Sequence, residues 1–284
     1  MEDKPIRAAA TVVLARDGAE GMEVCLLRRS SKSSFMASVI VYPGGAVDPE
    51  DYTLATSERV HASRALWHTP ESRAHAIAAL REAFEESGLL AASFKAPPRQ
   101  ERLDELRLGL RSDAITFQEV LRALDADLVL DDLWFFDRWV TPPWETKRYD
   151  TWFFLTRAPE GQRLYSDGVE VTDERWMTPQ NALERYHARE LLLAPPTWAT
   201  IKDLANFTRV DDAMAYAAAA KPYAICPHFM PLQEQGTGVI LLPGDPGYPG
   251  FEGVDTQLRG TPIRTRIAMR DGLWFEYVED FVSE

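Results

Sequence analysis

Cysteines, basic residues and long apolar runs are scarce in this sequence. Its two cysteines, Cys25 and Cys226, are too few among 284 residues for a disulfide framework, so we expect a protein of a reducing compartment, the cytoplasm. Lys and Arg number 31 against 44 Asp and Glu, and the formal net charge of −13 argues against binding to nucleic acid or to an anionic membrane surface. No apolar run is long enough to span a membrane. An anionic small molecule is still allowed as a substrate, because a bound metal ion can reverse the local field.

Residues 76–90, AIAALREAFEESGLL, predict a short amphipathic helix. Ile77, Leu80 and Phe84 recur at i, i+3 and i+7, so one stripe of the helix is apolar and can face a core. Gly88 stands where a residue in the left-handed conformation would end the helix.

Three carboxylates lie on another face of this predicted helix. Glu82, Glu85 and Glu86 have the spacing i, i+3, i+4, and Glu82 and Glu86 repel each other by roughly 0.2–0.5 kcal/mol on an isolated helix. Arg81 can relieve part of this repulsion by reaching Glu85 at i+4. A hard divalent cation, which prefers carboxylate oxygens, would make such a cluster favourable. The other interpretation is an ordinary solvated helix face.

A Pro-Gly-Gly turn lies upstream of the helix. Residues 41–45, VYPGG, form a β-like run that ends in this turn, and the acidic loop 48–51, DPED, follows. Gly45 together with REAFEESGL at residues 81–89 resembles the Nudix box, in which a glycine, a spacer and a glutamate precede Arg-Glu-apolar-x-Glu-Glu-x-Gly-apolar. The resemblance implies a Nudix-type α/β/α sandwich with a mixed sheet over about residues 5–207, and metal-dependent hydrolysis of a diphosphate.

The spacer of this motif departs from the family pattern. Glu50 or Asp51 could fill the slot of the glutamate that follows the glycine by six positions, but residues 52–75 then intervene before Arg81. This insertion leaves the choice between Glu50 and Asp51 open.

The resemblance also implies roles for the helix residues. Glu82 and Glu86 would hold Mg²⁺ or Mn²⁺, with Glu85 as a third ligand or acting through water, and Arg81 would orient a carboxylate. Glu85 is a candidate to accept the proton of the attacking water, and so is Glu170. In some Nudix enzymes an acidic residue six positions before a tryptophan, as Glu170 stands before Trp176, adds a carboxylate to the metal cluster.

Alternatives to Glu170 are close by. Asp173 and Glu174 are the alternates for the added carboxylate, and Glu174 is a further candidate for the proton acceptor. The other interpretation of Glu170 is a strand-end residue whose side chain lies in water.

Two further pairs of residues are candidate substrate contacts. Arg28 and Arg29 begin a polar, cationic loop that leads to the Gly-Gly turn, and they could hold phosphates, although a solvated connection is the alternative. Gly44 and Gly45 have no Cβ and would let the backbone approach the metal and the phosphates.

The order of predicted elements divides the chain into two parts. Residues 1–207 form the predicted Nudix domain, with insertions at about 52–75 and 93–127. Residues 208–284 form a C-terminal extension, a small β unit packed on the core or on a partner subunit, which allows for a homodimer. A hairpin with its turn at Asp17-Gly18 is predicted near the N-terminus.

Three functions stay open at this point. The interrupted box, LLRRS at residues 26–30 and LAPP at 193–196 resemble the peroxisomal type of coenzyme A diphosphatases. The intermediate Arg and Gly of the broader coenzyme A signature are missing, so a hydrolase of NADH, ADP-ribose or another nucleotide sugar or dinucleotide is the alternative. The third is a non-catalytic Nudix-fold ligand sensor, which would not need an intact REAFEESG.

Overall fold

The chain alternates strands and helices, and a mixed sheet lies between helical layers. The computed structural model describes residues 5–29, 38–165, 171–220, 223–232, 237–257 and 264–277, without the side chains of 171–174. The strands are β1 Ile6–Gly18, β2 Gly21–Arg29, β3 Ile40–Val41, β4 Gly44–Ala46, β5 Val60–His61, β6 Ser93–Phe94, β7 Ala126–Val129, β8 Trp134–Val140, β9 Arg148–Arg157, β10 Val171–Met177, β11 Ala224–Ile225, β12 His228–Pro231, β13 Gly238–Leu241, β14 Arg266–Arg270 and β15 Leu273–Glu276. The α-helices are α1 Pro49–Leu54, α2 Pro70–Ser87, α3 Gln100–Arg111, α4 Phe117–Ala123, α5 Pro179–His187, α6 Pro195–Leu204 and α7 Val210–Ala219.

The central sheet is mixed, as predicted. Its strand order is β10-β2-β1-β9-β8-β11, with β3 paired to β2 and β4 paired to β1. The pairs β1–β9 and β8–β11 are parallel and the other pairs are antiparallel. Alternate side chains of β1 enter different cores, because successive strand residues point to opposite faces. Val12 packs with α2, α3 and α4 on one face, and Val13 packs with α5, α6 and α7 on the other.

Three boundaries differ from those predicted. Helix α2 begins at Pro70, six residues before the predicted start, because Pro70 occupies the first helical position and Thr69 caps the helix by accepting from the Ser72 amide. The β1–β2 turn lies after Gly18, which pairs with Gly21, and not at Asp17-Gly18.

The cationic loop also begins later than predicted. Arg28 and Arg29 end β2 and face Ile40 and Val171 in the sheet, so both are strand residues.

The two insertions pack against each other. The first insertion contributes β5 and the second contributes β6, and both strands pair with β7. Arg59 donates to the carboxylates of Asp125 and Asp127, and the Arg64 guanidinium bonds to Asp131. These contacts join residues that are more than 60 positions apart in sequence, so the insertions form one unit beside α2.

The C-terminal extension packs on the core. Strand β11 adds to the edge of the central sheet, and β12 to β15 form a separate antiparallel sheet in that order. Ile240 and Ile267 of this second sheet belong to the same buried cluster as Trp198 of α6. The division of the chain at residue 208 stays a prediction.

Among the described residues, no helix combines the length and the hydropathy needed to cross a lipid bilayer.

An ion pair connects this extension to α6. Arg264 donates from Nη1 to Asp203 Oδ2 at 3.2 Å and from Nη2 to Asp203 Oδ1. Both side chains are largely buried, and burial raises the pKa of Asp203 although Arg264 opposes the shift. A buried carboxylate without its partner is costly.

We therefore expect Arg264→Ala to lower the free energy of unfolding by about 3 kcal/mol, since it leaves the Asp203 carboxylate buried and unpaired. Addition of Asp203→Asn should recover more than half of that loss. Urea unfolding of the two variants and the unchanged protein measures both values. A loss below about 0.5 kcal/mol, the usual effect of a surface substitution, would show that the pair does not hold the extension.

Candidate active site

The site begins with the way α2 ends. Gly88 adopts φ of +78°, the left-handed conformation, and its amide donates to the Phe84 carbonyl, as the sequence predicts. The predicted apolar stripe of Ile77, Leu80 and Phe84 is fully buried. Burial of this stripe fixes the rotation of the helix, so the face that carries Glu82 and Glu86 is directed toward β4.

The Gly-Gly turn lies directly against these glutamates. Strand β4 pairs with β1 through Gly44 and Gly45. The Gly44 amide donates to Glu86 Oε2 at 3.0 Å. A Cβ on Gly44 would lie 2.5 Å from the Ala10 carbonyl oxygen and 2.7 Å from Thr11 Cα, so only glycine fits there. A Cβ on Gly45 would lie 2.5 Å from the carboxylate carbon of Glu82, so that side chain would have to move.

Arg81 joins the helix to the acidic loop. Its Nε and Nη2 donate to the two oxygens of Asp51 at 3.1 and 3.0 Å, a bidentate contact. Its Nη1 donates to Glu82 Oε1 at 2.8 Å and to Glu85 Oε1 at 3.1 Å, the latter at the predicted i+4 spacing. Asp48 completes the set, 3.2 Å from Nη2. One guanidinium therefore contacts four carboxylates.

Glu50 and Asp51 are now distinguished. Asp51 is buried against Arg81, whereas Glu50 is exposed. Asp51 also accepts from the Asp48 amide at 2.9 Å, which closes a capping box at the start of α1. Of Glu50 and Asp51, it is thus Asp51 whose carboxylate contacts the helix.

The pKa values of two glutamates in this cluster are raised. Burial raises the pKa of Glu82 to about 7, and Glu85 adds to the shift while Arg81 opposes it. Burial also raises the pKa of Glu85, again against the influence of Arg81. Arg81 therefore does not fully offset the cost of burying the ionised carboxylates of Glu82 and Glu85. An added cation would stabilise their ionised form.

The carboxylate oxygens of Glu82 and Glu86 are the type of ligand that a hard divalent cation prefers. Glu82 and Glu86 present carboxylate oxygens on one helix face beside a turn that excludes a Cβ, and Mg²⁺ is usually bound by one or two carboxylates plus water and substrate phosphates. Across the described part of the chain, no three His, Cys, Asp or Glu side chains are grouped so that they could hold a metal ion by themselves. Glu82 and Glu85 each direct an oxygen to Arg81, and Glu86 directs one to the Gly44 amide.

A cleft opens beside this cluster. Its volume is about 550 Å³, within the range of small-molecule sites. Asp48, Glu50, Arg81 and Glu85 line one wall, and the second insertion supplies the other, including Leu110, Ile115 and Phe117.

Arg107 is a contributor that sequence reasoning missed. It is buried in α3, and its Nε donates to the Glu85 carbonyl at 2.9 Å, near the C-terminal end of α2. A cation at this end also interacts favourably with the helix dipole. The alternation of charge and leucine in residues 100–111 predicts an amphipathic helix, but it carries no signal for this contact.

The other predicted residues lie elsewhere. Arg28 Nη1 donates to the Ser38 carbonyl at 3.5 Å, and the Arg29 amide donates to the Val39 carbonyl. These contacts belong to the β2–β3 pair and not to the carboxylate cluster. Glu170 lies outside the described residues, and so do the side chains of Asp173 and Glu174.

Comparisons with known proteins agree on one family. The family described as the NUDT19 Nudix domain matches residues 54–204. The acyl-coenzyme A diphosphatase NUDT19 of Gallus gallus is 29% identical in an alignment of 309 positions, gaps included, that covers 86% of this chain and 80% of the relative. The acyl-coenzyme A diphosphatase NUDT19 of Homo sapiens is 26% identical in an alignment of 307 positions that covers 92% of this chain and 81% of the relative. The crystal structure of a NUDIX hydrolase from Alicyclobacillus acidocaldarius has 32% identity and a TM-score of 0.62, and covers 75% of this chain and 96% of that one.

The Asp51–Arg81 contact leads to a prediction on stability. Asp51→Ala should lower the free energy of unfolding by about 2 kcal/mol, because a buried guanidinium loses two charge-assisted hydrogen bonds and α1 loses its capping box. The matched control is Glu50→Ala at the exposed neighbouring position, which should change stability by less than about 0.5 kcal/mol. Urea unfolding checks the pair of variants. Equal losses would refute the assignment of Asp51 as the anchor.

Proposed function

The chain belongs to the Nudix hydrolase family and is a hydrolase of diphosphate bonds, and we propose that its substrates are coenzyme A and acyl-coenzyme A thioesters. The observation that carries the proposal is the contact of the Gly44-Gly45 turn with Glu82 and Glu86, which presents carboxylates and backbone amides at one point. The names of the chicken and human relatives support the substrate, since both are acyl-coenzyme A diphosphatases.

Nudix hydrolases generally use divalent cations, and we propose Mg²⁺ or Mn²⁺ here. When bound, such an ion supplies charge neutralisation on the phosphoryl oxygens and a water of lowered pKa. In our proposal Glu82 and Glu86 would hold it together with water and substrate phosphates, and Glu85 would be a third ligand or act through water. Arg81 acts as a positioning residue, because it contacts Glu82 and Glu85. The orientation of the Arg81 guanidinium is in turn fixed by Asp51.

The remaining residues take roles around the reacting bond. Gly44 and Gly45 admit the phosphates close to the backbone, because a Cβ at either position would meet β1 or Glu82. Arg28 and Arg29 are proposed for the anionic end of the substrate, since they end β2 beside β3, the strand that leads into the turn. Glu85, Glu170 and Glu174 are the candidates to accept the proton from water.

The cellular setting is also a proposal. Cys25 and Cys226 are both buried, and a content of two cysteines is compatible with a reducing cytoplasm. A homodimer is the assembly that we allow for, and the net charge of −13 disfavours nucleic acid and anionic membrane as partners.

Substitution of the glutamates tests the metal site. We expect Glu85→Gln and Glu86→Gln each to reduce turnover by on the order of 10²-fold or more, because each removes a charge proposed to hold the cation. The matched control is Glu71→Gln, at an exposed glutamate in the first turn of the same helix. Steady-state kinetics with Mg²⁺ or Mn²⁺ measure turnover, and circular dichroism confirms folding. Near-normal hydrolysis by Glu86→Gln would overturn the metal assignment.

A substrate panel tests the proposed function itself. Coenzyme A, acetyl-coenzyme A, NADH, ADP-ribose and dATP are incubated with the metal-loaded protein, and the products are separated by chromatography. Release of 3′,5′-ADP with phosphopantetheine is the expected result. AMP from NADH or ADP-ribose alone would keep the chemistry and reject the substrate, and no turnover of any compound by folded, metal-loaded protein would favour a ligand sensor.

A further inference from the structure

A second cavity lies on the opposite face of the central sheet from α2. Its volume is about 640 Å³, and it is lined by aromatic side chains that define what we call the aromatic groove: Trp139, Trp144, Phe153, Phe229 and Trp274. Trp139 and Phe153 come from β8 and β9, whereas Phe229 and Trp274 come from the C-terminal sheet. The groove is therefore formed between the central sheet and the extension. The extension lies beyond residue 204, where the family match ends.

Three polar groups of the lining have partners within the protein. Trp139 Nε1 donates to Asp137 Oδ2 at 2.6 Å, and Trp274 Nε1 donates to the Leu193 carbonyl at 3.1 Å. The hydroxyl oxygen of Thr141, which also lines the groove, accepts from the Tyr149 amide at 3.1 Å. Because their N–H groups are engaged, the indole rings of Trp139 and Trp274 offer carbon surface to a ligand. An alkyl chain has no hydrogen bonds to water to lose, so it suits such carbon surface.

The groove and the Gly-Gly turn are connected through β1. Thr11 pairs with Phe153 of β9 on one side and with Gly44 of β4 on the other. Neighbouring strands lie about 4.8 Å apart, so the groove wall and the glycine turn are separated by roughly 10 Å. A second connection runs along the edge of the groove. Ala194 lines it and follows Leu193, which bridges to Ile40 in β3, the strand that leads into the turn.

We propose that the aromatic groove binds the acyl chain of an acyl-coenzyme A substrate, an inference that rests on the proposed function. The diphosphate lies at the Gly44-Gly45 turn, and the flexible pantetheine arm passes the outer edge of β4 to the opposite face of the sheet. The thioester-linked alkyl chain then lies among Phe153, Phe229 and Trp274. The C-terminal extension thereby distinguishes acylated from free coenzyme A.

Direct binding tests the groove without depending on turnover. The full chain is titrated calorimetrically with coenzyme A and with octanoyl-coenzyme A, with metal removed by a chelator so that neither ligand is hydrolysed. A fully buried methylene improves affinity by about fourfold, so we expect octanoyl-coenzyme A to bind at least about tenfold more tightly. Phe229→Asp, which places a charge at the exposed rim of the groove, should reduce that ratio to near one.

The matched control is Met230→Asp, at the next residue of β12, which is similarly exposed but does not line the groove. It should keep the wild-type ratio. Trp144→Asp, on a different segment, should act like Phe229→Asp, which guards against a local folding defect in β12. Equal affinity of the wild type for both ligands, absence of binding by either, or equal effects of Phe229→Asp and Met230→Asp would overturn the proposal. Failure of the proposed function would appear separately, as no hydrolysis of coenzyme A by the metal-loaded protein.

Discussion

The bidentate contact between Arg81 and Asp51 is the interaction on which the carboxylate face of α2 depends. Asp51 lies in α1, and its two oxygens fix the guanidinium plane. The remaining N–H groups of Arg81 can then hold Glu82 and Glu85. Without this anchor, glutamates one turn apart would repel and turn toward solvent. The contact therefore sets the position of the acidic groups before any ligand arrives.

The insertion inside the motif leaves this anchor intact. Asp51 and Arg81 are separated by 30 residues, yet they are in direct contact. The inserted residues leave α1, form β5 and return through Thr69 into α2. Their pairing with β7 attaches them to the second insertion, which supplies a wall of the cleft beside Glu85. The extra residues thus contribute to one wall of the cleft without altering the spacing of groups on α2.

Local signals were read correctly from the sequence, and long-range contacts were not. The helix end at Gly88 and the Arg81–Glu85 pair follow from spacing along one helix. The start at Pro70 was missed because proline can open a helix as well as end one. The choice of Asp51 over Glu50, and the contact of Arg107 with α2, depend on packing between elements 22 to 30 residues apart. The aromatic groove depends on four distant segments and has no sequence pattern.

The central claim is that Glu82, positioned by the Arg81–Asp51 anchor, and Glu86, held by the Gly44 amide, bind a divalent cation at the Gly-Gly turn. Crystals of the protein grown with Mn²⁺, measured for anomalous scattering, test it most directly. The account predicts an anomalous peak in contact with the carboxylates of Glu82 and Glu86, beside Gly45. A peak only at other positions, with both carboxylates still bound as they are without metal, would contradict it.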